Sequence, residues 1–256
     1  MGVSVYPQPL KDYLTEVNLG NVGGVTVMSA MGERYSMGTT TTGEDIWRGT
    51  ATSVPIPAGI GVEMLVVSSS ADDQFVAGTG VQTLHVDYLD SNGAQQQEII
   101  EMDGITPVAM TASDIRFVND MYAATVGTNG VAAGNITIYL LGSPTTIYNM
   151  IVLGGNKSLV PHRMVPLGKT LILKSWQATE AQGKRVAIRI RSTDMNGVFI
   201  PGVFCFKGTA FIKNTATGDL PLNIHIPALS IIKVSGWPVI LGAETSCSWW
   251  GLLIDD

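Results

Sequence analysis

Hydrophobic and polar positions alternate along much of this chain, and the alternation predicts strands. From Thr83 to Tyr88 the apolar side chains Leu84, Val86 and Tyr88 interleave with Thr83, His85 and Asp87, which gives one dry face and one wet face. Asn92-Gly93 tolerates the positive φ of a hairpin reversal, so the chain is expected to return through Gln96 to Met102. Val66-Val67 leads into a polar turn, Ser68 to Asp73, and Asn135 to Leu140 alternates again. Ile99-Ile100, Ile115 to Val118 and Tyr122 to Val126 carry weaker strand signals. Ile147 to Leu153 is a continuous apolar run suited to a strand buried on both faces, and Gly154-Gly155 after it reads as a hinge. Further strands are predicted over Leu171 to Trp176, Arg185 to Arg191, Val203 to Phe206, Leu222 to Ile226, Ser230 to Val234 and Trp249 to Ile254. With Gly, Asn and Pro between strands roughly eight to twelve residues apart, the prediction is an all-β fold of one or two jelly-roll-like β-sandwich units. No fixed repeat period relates the two halves.

The first 45 residues break this pattern. Leu10, Tyr13, Leu14 and Val17 fall at helical spacing on one face, after Pro7 and Pro9, and Gly20, Gly23 and Gly24 end the segment. So short a helix is not stable alone and must dock on something. Met28 to Gly43 is rich in Gly, Ser, Thr and Met without a clear period and reads as an extended arm. The expected organisation is an arm with a short helix over 1–45, a first sandwich over 46–153 and a second over 154–256. The arm is expected to anchor or clamp, with the β region folding without it.

Composition and run length change the picture in four ways. Charged residues make up 14% of the chain and apolar ones 45%, whereas a soluble monomer carries nearer a quarter charged, so much of the surface is expected to be covered by other copies or a partner. The net charge of −6 argues against a nucleic-acid partner, whose phosphates select clustered Lys and Arg. No apolar run reaches the roughly 18 residues that a spanning helix needs, and no basic leader precedes an apolar stretch, so no membrane partner is expected. Cys205 and Cys247 are too far apart in sequence for a metal knuckle or a redox pair, and their apolar neighbours predict buried free thiols.

One block carries a resemblance. A strand ending in Ser68-Ser69, the acid Asp72, Gly78-Thr79-Gly80, a strand into Leu89-Asp90-Ser91-Asn92-Gly93, a Glu-rich return, Thr106-Pro107-Val108 and Gly134-Asn135-Ile136-Thr137-Ile138 together resemble a module of tailed-bacteriophage virion structural proteins of the head decoration or head-fibre type. Glu44 to Gly49 upstream, and Asn156 to Leu159, Val165 to Thr170 and Trp176 downstream, fit the same pattern. The similarity runs from about Thr42 to the C-terminus. This chain has Val165-Pro166-Leu167-Gly168 where such proteins tend to have Val-Pro-Ala-Gly. The resemblance implies a virion structural protein; that it is not an enzyme is expected from the lack of any catalytic constellation among its residues.

The residues themselves offer few chemical constellations. His85, His162 and His225 are dispersed, and His85 and His225 sit on polar faces of alternating strands, so solvated histidines are expected rather than ligands. Asp72, Asp73, Asp87, Asp90 and Asn92 offer oxygens for a hard cation, but hairpin geometry already explains Asp90 to Gly93, and no metal or cofactor is expected. Gly78-Thr79-Gly80 has no helix after it for phosphate binding, and no nucleophile motif occurs. Trp237, Trp249 and Trp250 would suit a sugar platform, though a core or interface role fits their apolar neighbours better. The most site-like cluster is the row Arg185, Arg189 and Arg191, placed opposite Val186, Ile188 and Ile190 with Lys184 beside it. It would dock an acidic neighbour, although an ordinary wet sheet face explains it too. The interface candidates are therefore Leu10, Tyr13, Leu14, Arg185, Arg189 and Arg191. The expected function is that of a capsid decoration or cement protein in the virion, assembled in a bacterial cytoplasm. Its expected partners are itself, as a homotrimer, and virion proteins such as the major capsid protein. A tail, collar or baseplate component and a carbohydrate-binding receptor module are the alternatives.

Overall fold

The structure, a computed structural model, describes residues 12–38, 41–59, 61–217 and 220–256. Leu10 lies outside them. Among the described residues one short helix, Tyr13–Asn18, is followed by 19 strands, so the all-β expectation holds. In chain order they are β1 (Val25–Met37), β2 (Glu44–Asp45), β3 (Met64–Ser68), β4 (Val81–Leu89), β5 (Gln95–Glu101), β6 (Val108–Ala109), β7 (Phe117–Val126), β8 (Ile136–Leu140), β9 (Ser143–Ile151) and β10 (Arg163–Met164). There follow β11 (Lys169–Glu180), β12 (Val186–Ser192), β13 (Asp194–Met195), β14 (Val198–Phe199), β15 (Cys205–Ile212), β16 (Thr215–Ala216), β17 (Leu220–Ile226), β18 (Ile231–Pro238) and β19 (Ala243–Asp255).

The strands form two antiparallel sandwiches. In the first, a sheet ordered β6-β3-β8-β9 faces a sheet ordered β5-β4-β7. Met64, Val66, Leu84, Val86, Met121, Ile136 and Ile138 fill the space between them, each contributed by the dry side of an alternating strand. In the second, β1-β19-β11 extends to β16 and β17, facing β10-β18-β12-β15, with β2 on the same edge of β18 as β10. Its core holds Leu171, Leu173, Trp176, Ile188, Ile190, Val234 and Trp249. Alternation gives the burial its period: β12 turns Val186, Ile188 and Ile190 inward, as predicted, with Arg189 and Arg191 only half-buried on the other side.

The extended arm of the sequence reading is a strand. β1 pairs with β19 from Val25 opposite Ile254 to Met37 opposite Ala243, with one irregularity after Arg34. Ala30 and Met37 lie in the core of the second sandwich. Its inward positions are Met28, Ala30, Gly32 and Arg34 rather than strongly apolar residues, while Val27 and Tyr35 point outward, which hid its period. Both ends of the chain thus build the second sandwich, and the first is inserted between β2 and β10. The preceding helix is capped by Asp12, whose carboxylate accepts from the Thr15 amide at 2.9 Å. Val17 is buried, Leu14 half-buried and Tyr13 51% exposed, so the apolar face docks only through its C-terminal end.

The Asn92-Gly93 hairpin forms as expected. Gly93 has φ 84°, and Asp90 accepts from the Asn92 and Ala94 amides at 2.9 and 3.0 Å. That is the local side-chain-to-backbone bonding that the sequence implied, made here by Asp90.

Truncation through Gly38 is expected to abolish cooperative unfolding of the second sandwich, because it strips the long edge pairing and two core side chains. Melting followed by circular dichroism checks this against truncation through Gly24, which should keep a cooperative transition. Gly32→Ala tests the same packing. A Cβ there would meet the Ile46 carbonyl oxygen at 2.3 Å and Pro161 Cδ at 2.4 Å, so a loss of about 1–3 kcal/mol is expected.

Candidate interaction face

Five carboxylates are buried among the described residues; Glu44 pairs with Arg34 at 2.7 Å, and the other four, Asp45, Asp73, Glu180 and Asp194, set the geometry of loops and strand ends. Asp45 is the most connected. It lies on β2 opposite Ser235, where the segments leading into and out of the first sandwich meet the edge of β18. Its oxygens accept from Ser235 Oγ at 2.6 Å, the Val54 amide at 3.0 Å, Lys233 Nζ at 3.1 Å and Arg191 Nη2 at 3.3 Å. His162 Nε2 stands 3.4 Å from Asp45 Oδ2, yet neither ring nitrogen has a hydrogen-bond partner among the described residues. Burial works to raise the Asp45 pKa, but His162, Lys233 and Ser235 more than reverse it and hold the carboxyl well below its usual range. Burial depresses the His162 pKa, with Asp45 pulling the other way. Burial likewise lowers Lys233. The charges of Lys233 and Arg191 also work against protonation of the His162 ring.

The other three of those four carboxylates staple loops. Asp73 is fully buried and accepts from the amides of Val81, Ala133 and Gly134 at 2.7, 2.9 and 2.9 Å and from Ser68 Oγ at 2.6 Å. Its oxygens are thereby occupied by donors, which leaves it unsuited to the cation role weighed for Asp72 and Asp73. Glu180 accepts from the Gln182, Lys184 and Asn214 amides. Asp194 accepts from Ser192, the Gly197 amide and Lys207 Nζ. Among the described residues no cluster of His, Cys, Asp and Glu is arranged to hold a metal ion.

The arginine row lies on the outer face of β12. Arg185 is exposed; Arg189 pairs across to Thr209 and Ser235, and Arg191 to Phe206 and Lys233. The three are not equivalent. Arg191 is tied to Asp45. The Arg189 guanidinium lies 4.4 Å from the centre of the Trp237 ring and 4.7 Å from that of Phe206, cation–π contacts that hold the fork in place. No acid within salt-bridge range of Arg189 is present among the described residues. Around it Phe206 is 58% and Phe211 74% exposed, and the turn after β18 exposes Val239, Ile240 and Leu241. The face is therefore aromatic as well as basic, a feature that the sequence reading missed. Phe206 and Phe211 are five positions apart, which in a regular strand puts them on opposite faces, and only the register shift between Ile190 and Arg191 brings both to the outer side.

The remaining candidates separate. Trp249 is buried in the core and donates to the Pro161 carbonyl at 3.0 Å; Trp250 is half-buried on the opposite side of β19. Trp237 has its ring against Arg189 and Arg191, so it is not a bare platform for a sugar. His85 is half-buried rather than fully solvated, stacked on Tyr122 with ring centres 4.6 Å apart and 3.1 Å from Asp87; His225 is exposed. Cys247 is buried, and burial pushes its thiol pKa well up; Cys205 is only half-buried. No family model, curated protein or solved structure matches this chain.

Two outcomes follow from the Asp45 cluster. Asp45→Ala should cost about 3–5 kcal/mol by chemical denaturation, because it leaves buried Lys233 and Arg191 without their counter-charge. Stability should also fall as pH drops below about 6.5, the usual imidazole value. The folded state disfavours the protonated ring, so the unfolded chain binds the extra proton first. His162→Asn should flatten that slope in a pH series of denaturation midpoints.

Proposed function

We propose that this chain is a structural protein of a bacteriophage particle, a capsid decoration or cement protein that works by self-association and by docking on the shell. The observation that carries the reading is the aromatic and basic face of the second sandwich, where Phe206 and Trp237 hold Arg189 and Phe211 lies exposed opposite Ala187. A rigid platform of that kind has the composition of a protein-binding hot spot, rich in Trp and Arg. The motif block from Ser68 to Ile138, with its resemblance to head decoration and head-fibre proteins, supplies the context. The buried acids fit the same view: each is consumed in holding loops, and none is left poised for proton transfer.

On this reading the partners are further copies of the chain, as a homotrimer, and the major capsid protein, and the protein resides in the virion. A place on the tail, collar or baseplate would use the same surfaces. The test is occupancy. Purified protein mixed with particles that lack it should co-sediment in fixed, saturable stoichiometry on heads separated from tails. Binding to isolated tails alone would move the assignment to the tail, and failure to bind any particle component would overturn the virion reading.

A further inference from the structure

Charge is divided unequally between the two sandwiches. From Val54 to Val160 the chain carries ten Asp and Glu against two basic residues, Arg116 and Lys157, while the rest carries eleven against thirteen. The first sandwich is thus eight charges negative and the remainder two positive, although the chain as a whole is −6. The positive side is concentrated where it can act. Arg191 is paired with Asp45, but Arg185 is exposed and Arg189 is aimed by two rings, with no acid in salt-bridge range among the described residues.

The two surfaces have matching form. β15 is the outer strand of its sheet and β5 the outer strand of its own. β15 presents Phe206 and Phe211 beside the free arginines; β5 is exposed along most of its length, with Glu101 open to solvent and Ile99 60% exposed. A carboxylate next to an apolar side chain is the complement of an arginine next to a phenylalanine. Self-repulsion between copies is also smallest when the acidic sandwich of one meets the basic face of the next rather than its own equivalent.

We infer that the basic aromatic face around Arg185, Arg189 and Phe211 docks the β5 side of the acidic sandwich of a second copy. Such a contact is head-to-tail: two different patches meet, so the copies do not pair about a two-fold axis, and the homotrimer of the proposed function needs a rotation that closes the contact into a ring of three. This deepens the self-association part of the proposed function and rests on it.

Sedimentation of the full-length chain is the test. At about 50 mM salt the mass should be a multiple of 27.2 kDa, and the apparent dissociation constant should rise about tenfold or more by about 500 mM, as charge-steered contacts are screened. Arg185→Glu with Arg189→Glu should be monomeric, and so should Gln97→Lys with Glu101→Lys. Mixing the two should restore association, because each retains the patch that the other has lost. Phe211→Ser, at a position with little to lose in folding, should weaken assembly with an unchanged melting curve. A wild-type monomer at low salt, or assembly by either double variant alone, would overturn the inference. If a monomeric wild type still co-sediments with particles, the virion reading survives while this one falls.

Discussion

A single buried carboxylate joins parts of this protein that are far apart in sequence. Asp45 reaches Lys233, Ser235 and Arg191 on the sheet and Val54 on the segment that leaves for the first sandwich, with His162 beside it on the segment that returns. A charge taken out of water is tolerated only where donors replace the lost hydration. Once Asp45 is buried, those groups must all be in place together. The constraint fixes where the inserted sandwich is attached, because both of its connections pass this point. Nearby, Arg163 lies 3.2 Å from Asp120 of the first sandwich, and Asn119 exchanges two hydrogen bonds with the Met164 backbone. Leu89 and Phe117 close the same joint against Met164 and Ile231.

The economy of charge follows from that arrangement. With few ionised groups in the chain, a large share of them is internal, where Asp45, Asp73, Glu180 and Asp194 replace regular backbone pairing at loops and strand ends. Asp73 shows the reason most plainly. Three amides from two different loops converge on it, and no sheet ladder could serve all three. What charge remains outside is then distributed unevenly, and the Arg189 face stands out because its neighbours are rings rather than acids. On the proposed reading, that face and the acidic sandwich are the working surfaces of an assembly protein, and the buried polar groups keep the scaffold rigid enough to present them.

Where periodicity and turn chemistry act locally, the sequence was sufficient. Thr83 to Tyr88, the Asp90 to Gly93 reversal and the inward set Val186, Ile188 and Ile190 are legible because a strand's side chains alternate and because Asp, Asn and Gly solve a tight turn on their own. The outward placement of the arginine row was legible for the same reason. Tertiary structure alone decided the rest. Whether Met28 to Gly43 would be an arm or a strand depended on the edge of β19, more than two hundred residues away, and its Ser, Gly and Met positions carry no period that a local reading can detect. The fate of Asp45 and His162 depended on which chain segments cross them, since a carboxylate and an imidazole look the same in sequence whether solvated or buried. The difference between Arg191, held by an acid, and Arg189, held by two rings, came from strand register, which is set by non-local pairing.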